Sequence, residues 1–395
     1  MVENALTLSF RADARQTASV ESERGVFVIN RRNLLVGGAA GLTAGCDCGV
    51  PEGLPIAAGS VRARNLKMVT TWPKDFPGLG TSAENVARFI TEMSGGAISV
   101  HVYAAGELVG AFDSFDAVSN GSADMYHGAE YYWAGKSKAY PFFTAVPFGM
   151  TPQEIMGWTE FGGGQQLWDE LSAKFNIKPF VAANTGHQLG GWYKRPINSL
   201  EDLKGMKIRM PGVGGEVMRR VGASAVAIPG GEIYAALQSG AIDGAEWVGP
   251  WNDLAFGFYR EAKYYYAPGF HEPGAQGAVG VNLDVWNSLN AQEQSIIKGA
   301  CHRANHICLA EFAHHNGVAL QQLVNDHGIE IRKMPDDVLA ALARESKIVL
   351  EEAAASDDMT KRVFESYRTE LRRVQKWSEI SDEAFMTARR TLFSL

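Results

Sequence analysis

The sequence predicts a two-lobed α/β clamshell with long C-terminal helices, on three observations. Strand and helix patterns alternate from Leu66, the alternation restarts at Gly191, and the chain after Asn282 reads mostly as helix. Alternating elements build a parallel or mixed sheet covered by helices, and a restart implies a second such layer. Ligands of such folds sit outside strand C-termini, in the cleft. With 395 residues the chain holds two or three domains at about 100–200 residues each.

Taken in order, residues 66–71 read as a strand, Ser82 opens a helix that stops at Gly95-Gly96, and Ile98–Tyr103 is a second strand. A helix over Ala111–Ser119 ends at Asn120-Gly121, before a strand at Ala123–His127. Thr151-Pro152-Gln153-Glu154 starts one long helix. Ile177–Ala183 is a strand that leads into a polar, Gly-rich bend at Asn184–Gly191. The second series comprises a strand at Lys207–Met210, a helix at Gly215–Val221, a strand at Ala225–Ile228, a helix at Glu232–Ser239 and a strand end at Gly244–Trp247. A strand near Ala278–Asn282 precedes the helical tail, which an Ile329–Arg332 strand interrupts. These readings place a leader at 1–57, one lobe at 58–187 plus about 276–310, a second at 188–275 and a helical tail at 311–395.

In the leader, Arg31-Arg32 precede the short apolar run Val36–Ala44, as in a twin-arginine export signal, and Ile56-Ala57-Ala58-Gly59 offers a cleavage site. Thr43-Ala44-Gly45-Cys46 also resembles a lipoprotein box, although Thr43 stands where a large aliphatic residue is usual. The mature chain keeps Cys301 and Cys308, whose spacing on a helix, about 10 Å of rise, forbids a disulfide. A net charge of -7 with no basic stripe argues against nucleic acid as a partner. No stretch of about 18 apolar residues spans a membrane.

Enzymatic signatures fail. There is no nucleophile elbow and no phosphate-binding Gly-rich loop; Val217 stands where the third glycine of a dinucleotide fingerprint would follow Gly212-Val213-Gly214. His302 and His306 share a helix face but want further zinc ligands. What remains suits a carboxylate-binding cleft. Arg209 ends a strand before Pro211-Gly212, and a guanidinium there grips a carboxylate through two parallel bonds. Glu246-Trp247 ends another strand, and an acid beside an anionic ligand makes sense if a cation lies between them. Gln188 and the Trp247 carbonyl complete an all-oxygen shell, which suits sodium or calcium.

The segment from Glu232 to Glu246, Glu-Ile-Tyr-Ala-Ala-Leu-Gln-Ser-Gly-Ala-Ile-Asp-Gly-Ala-Glu, resembles the signature of the solute-binding proteins of TRAP (tripartite ATP-independent periplasmic) transporters. Leu203–Pro211, the strand at Leu66–Thr71 and the tail support it. Asn184–Trp192, Glu246-Trp247 and His271-Glu-Pro-Gly274 resemble the subgroup that binds 2-oxo or 2-hydroxy monocarboxylates through a metal ion. The resemblance implies a periplasmic-binding-protein-like fold and a periplasmic receptor that hands its acid to membrane permease subunits. It gives Arg209 the substrate carboxylate, and Gln188, Glu246 and the Trp247 carbonyl the cation. Glu272 completes the shell or touches the ligand, Tyr131 or Tyr132 caps the cleft, and Asn184 lies in the ligand-binding bend. His187 departs from the pattern between Gly186 and Gln188 and falls on the rim. A swapped homodimer through the tail is also implied, with the tail packing on the lobes or on a partner. The rival reading is an extracytoplasmic enzyme that uses the same metal as a Lewis acid and needs a general base beside it. A third is a ligand sensor acting through a separate membrane partner.

Overall fold

The computed structural model describes residues 61–393; the leader, with Arg31-Arg32 and Cys46, lies outside the described residues. The first layer begins with β1 (Arg64–Thr70), α1 (Leu79–Met93), β2 (Ile98–Tyr103), α2 (Ser114–Ser119) and β3 (Met125–Gly128). The first helix starts one turn before Ser82. Ser82 is buried inside it, and its hydroxyl donates to the Ala182 carbonyl at 3.1 Å instead of capping. The single long helix expected from Thr151 is two, α3 (Pro152–Phe161) and α4 (Gly164–Ala173). The Thr151/Glu154 capping box starts the first, and Gly163, at φ +88°, turns the chain before the second. They lead to β4 (Ile177–Asn184).

The second layer runs through β5 (Gly191–Tyr193), β6 (Lys207–Arg209), α5 (Gly212–Arg220), β7 (Ser224–Val226), α6 (Gly230–Ser239), β8 (Gly244–Ala245), α7 (Pro250–Phe256) and β9 (Tyr264–Ala267). The chain then returns through β10 (Gln276–Asn282), α8 (Leu283–Ser288) and the 35-residue α9 (Ala291–Asn325). It ends in β11 (Glu330–Lys333), α10 (Asp336–Ala354), α11 (Asp358–Ser378) and α12 (Ala384–Leu392). Among the described residues no helix is long and apolar enough to cross a membrane.

Two mixed sheets result. The first has the order β2-β1-β3-β10-β4, with β1 parallel to β2 and β3, and β10 antiparallel to β3 and β4. The second has the order β11-β9-β5-β8-β6-β7, with β6 parallel to β7 and β8, and β5 antiparallel to β8 and β9. The sequence reading missed β5 and β9, because Gly-Trp-Tyr and Tyr-Tyr-Tyr-Ala are aromatic on both faces and carry no alternation. Trp192 stacks on Tyr265 at 4.0 Å, while Tyr193 meets Tyr266 edge-on at 5.4 Å. The strand that breaks the tail, β11, joins the second sheet parallel to β9.

Burial explains the helices. α1 and α9 cover the first sheet with Val86, Phe89, Ile90, Ile297 and Ala304. Phe115, Trp168, Val363 and Tyr367 pack a second core beneath α4 and α11. α5 and α10 bury Met218 and Leu342 against the second sheet. Cys301 and Cys308 are buried free thiols on α9. The segments after β1, β3, β4, β8 and β9 converge on one cavity.

Candidate functional site

Arg209, the last residue of β6, is 1% exposed. A buried guanidinium needs partners for its donors, and these are supplied by the neighbouring strand end. Its Nη1 donates to Glu246 Oε1 at 2.5 Å and to the Glu246 carbonyl at 2.8 Å, and its Nε donates to the Ile228 carbonyl at 3.2 Å. Nη2 makes only a 3.5 Å contact to the Tyr132 hydroxyl, and the guanidinium lies 5.1 Å from the Trp247 ring centroid. Burial, the largest single influence, opposes its charge, but Glu246, Tyr132, Tyr131 and Glu272 together outweigh it and raise its pKa further.

The second Glu246 oxygen lies 3.0 Å from His271 Nε2. Burial lowers the His271 pKa most strongly, but the charge and hydrogen bond of Glu246 with the charge of Glu272 together outweigh it, and the net shift favours imidazolium. Glu272 is pushed well above the usual carboxylate range by burial and by the charge of Glu246. Glu246, His271 and Glu272 each bring one donor atom within 4.8 Å of the others. Gln188 Nε2 donates to Glu272 Oε2 at 2.8 Å and to Thr185 Oγ1 at 3.1 Å, whereas its buried Oε1 has no partner. A buried amide oxygen without a donor, beside two carboxylates, is what a hard cation would satisfy.

These groups adjoin a narrow cavity of about 20 Å³, lined by Trp72, Tyr131, Tyr132, Thr185, Gln188 and Trp247 among others. The tyrosines come from a 3₁₀ turn, Glu130–Trp133, that follows β3. Burial raises the pKa of both, Tyr132 to about 12, so both remain neutral hydroxyls. Asn184 turns its Oδ1 to the Gly186 amide at 2.9 Å and shapes the bend, and the cavity wall is supplied instead by Thr185.

The structure thus brings together Gln188, Arg209, Glu246, Trp247, Glu272, Tyr131 and Tyr132. Sequence reasoning weighed His271 only as a base for the rival enzyme and left it, with Thr185 and Trp72, out of the binding site. Trp72 is held by an indole bond to His127 Nδ1 at 2.7 Å, a contact across 55 residues that no local pattern signals. The helix-face pair His302 and His306 gathers no metal-binding cluster among the described residues; His302 pairs with Glu160 at 3.2 Å on the surface.

Residues 68–357 match the family described as bacterial extracellular solute-binding protein, family 7. The chain is 39% identical to a monocarboxylate 2-oxoacid-binding periplasmic protein of Nostoc sp., over 88% of this chain and 94% of that one. A TRAP periplasmic solute-binding protein from Pseudoalteromonas atlantica with bound sodium and pyruvate superposes with a TM-score of 0.80 at 37% identity, covering 83% of this chain and 99% of that one. A counterpart from Colwellia psychrerythraea with bound calcium and pyruvate gives 0.80 at 38%, covering 82% and 99%. With a matching fold, a buried carboxylate-and-guanidinium site and most of its length aligned, the chain belongs to the family 7 extracellular solute-binding proteins and is a TRAP transporter's solute receptor, not an enzyme.

Proposed function

We propose that this receptor captures a small 2-oxo acid of the pyruvate class together with a sodium or calcium ion. The observation that carries the reading is the orphaned Gln188 Oε1 facing a small cavity beside Glu246, Glu272 and Arg209. Gln188, Glu246, the Trp247 carbonyl and Glu272 would hold the cation, which supplies positive charge between anions. A bound cation favours the ionised form of Glu272, and a ligand carboxylate, Glu246 and Glu272 then outweigh the charges of Arg209 and an imidazolium at His271. Repulsion between anions a few Å apart amounts to several kcal/mol at the effective dielectric of such a site. Arg209 has Nη2 in reserve for the ligand carboxylate, since its only contact is the long one to Tyr132. Tyr131 and Tyr132 close one wall of the cavity. The names of the relatives from Nostoc, Pseudoalteromonas and Colwellia support the same ligand class.

The test is isothermal titration of pyruvate into chelator-treated receptor, with sodium or calcium added back separately. Affinity that rises with one ion supports the reading; equal affinity with and without either ion overturns the metal-bridged site and leaves Glu246 as a direct partner of the ligand.

We further propose that the two sheets lie in separate lobes, divided as 58–187 with about 276–310 and 188–275. Arg31-Arg32 would direct export through the twin-arginine route, and changing both to Lys should hold the precursor in the cytoplasm. A homodimer through the tail is supported by the exposed apolar side chains of Trp377, Ile380, Phe385 and Leu392, and light scattering of the mature protein tests it.

A further inference from the structure

Glu130 is a buried carboxyl that ligand capture leaves without a task. It is 0% exposed, in an aromatic core formed by Phe115, Tyr126, Trp133, Tyr140 and Trp168. One oxygen accepts a hydrogen bond from the Tyr126 hydroxyl at 2.6 Å, and the other has no partner. The groups that face it are the phenols of Tyr126 and Tyr140, on β3 and on the Tyr140–Phe143 turn, and the indole of Trp168 on α4; among the described residues no charged side chain does. Its place in the chain gives this local arrangement a reach into the cavity. Glu130 is the first residue of the 3₁₀ turn whose next two residues, Tyr131 and Tyr132, line the ligand cavity. The turn is otherwise anchored at its far end, where Trp133 Nε1 donates to the Phe112 carbonyl at 2.8 Å. Tyr126 reaches Glu130 because its cross-strand neighbour is Gly280; a Cβ there would collide with the Tyr126 ring.

We propose that Glu130 is a positioning residue, held as the neutral acid, that fastens this turn to Tyr126 and so sets Tyr131 and Tyr132 against the ligand. An isolated charge in an apolar core is expensive, so the acid stays protonated or draws water to itself. Burial pushes its pKa up to about 8, the bond from Tyr126 and the nearby Trp168 holding it back only in part. Above that pH the carboxylate must be hydrated, the turn shifts, and the tyrosines go with it.

The proposal rests on the cavity being the ligand site, so its first readout uses no ligand. Near-ultraviolet circular dichroism of the apo receptor should show an aromatic transition between pH 7 and 9.5, and Glu130→Gln, which copies the neutral acid, should reduce its amplitude to the part due to Glu272, which is raised to the same range beside Tyr131. Pyruvate affinity is the second readout. Glu130→Gln should bind within about threefold of the natural protein at pH 7. Its affinity relative to the natural protein should then rise about tenfold by pH 9, as expected for one titrating group; the ratio cancels the titration of groups common to both proteins. A transition of undiminished amplitude in Glu130→Gln, or an affinity ratio that stays constant with pH, overturns the proposal. If the dichroism behaves as expected and pyruvate does not bind, the ligand assignment fails while the neutral anchor stands. Should Glu130→Gln fail to fold, Tyr126→Phe decides. Loss of the phenol bond removes what stabilises the carboxylate, so the transition should move to higher pH, and an unmoved midpoint overturns the proposal.

Discussion

Glu246 and Glu130 are both 0% exposed, yet they live in opposite electrical surroundings. Glu246 lies between a guanidinium at 2.5 Å and an imidazole at 3.0 Å, at a point where strand ends and turns of the second sheet converge. Glu130 sits under the first sheet with one phenol at 2.6 Å. A buried acid can keep its charge where cations and donors surround it; among aromatic rings it stays neutral. The charged site is built for a ligand that completes its balance, and the neutral one for a fixed geometry.

The largest effect that sharpens this contrast is Arg209→Met. It leaves Glu246 and Glu272 without their guanidinium, and breaking a buried pair by removing one partner costs about 3–5 kcal/mol. Stability in urea should fall by that order, and acid affinity by at least two decades, since 1.4 kcal/mol is about tenfold. Pyruvate binding kept within tenfold would show that Arg209 does not carry the ligand carboxylate. Next comes Glu246→Gln, which keeps an oxygen and removes a charge. Metal and acid affinities should fall together, because coupling between two ligands is reciprocal and amounts to about 5–150-fold. Titration of pyruvate with and without calcium checks this: an identical loss under both conditions would detach Glu246 from the cation.

The difference between the two acids also shows what the sequence could and could not reveal. Arg209, Glu246 and Gln188 were legible because each stands at a strand end or bend near Gly or Pro, where chain geometry puts a side chain at a cleft, whereas Glu272 came from the family resemblance. The β-α alternation was legible for the same local reason. Glu130 was not, since its meaning depends on Tyr126, Trp168 and Gly280, which the sheet brings to it from elsewhere in the chain. β5 and β9 were missed because strands buried on both faces lose the period-2 signal. His271 was visible in its motif, but its pairing with Glu246, 25 residues away, is a tertiary fact.

A smaller effect tests the neutral acids directly. Glu130 is raised to about 8 and Asp253, bonded to Trp192 and Tyr265 at 2.8 and 2.6 Å, to about 7, in each case by burial. For an acid whose folded pKa lies above its unfolded value, the folded state holds the extra proton. The contribution to stability is therefore full below about pH 4 and is lost as pH rises through the folded values. Unfolding free energy of the apo receptor should decline between pH 5 and 8. Glu130→Gln should remove a slope of about 1.4 kcal/mol per pH unit from that decline. Urea midpoints at pH 5.5, 6.5 and 7.5 measure it, and an unchanged slope would mean that Glu130 is ionised in the folded protein.

The smallest effect belongs to the rim. His187 is exposed, although its neighbour Gln188 is buried and bonded to Glu272 and Thr185. Gly186, at φ +70°, makes this possible: its left-handed backbone turns the chain between Thr185, which lines the cavity, and Gln188, leaving the side chain between them in solvent. The departure of His187 from the family pattern therefore falls at a place where the site does not reach. Surface substitutions of this kind stay within about 0.5 kcal/mol, so His187→Ala should bind pyruvate within about twofold of the natural receptor, with or without calcium. A fivefold loss would place an exposed side chain among the determinants of binding and would extend the site beyond the buried groups. An unchanged affinity assigns selectivity to Arg209, Gln188 and the tyrosine wall, whose buried Gln188 Oε1 and Arg209 Nη2 are left for the cation and the ligand to satisfy.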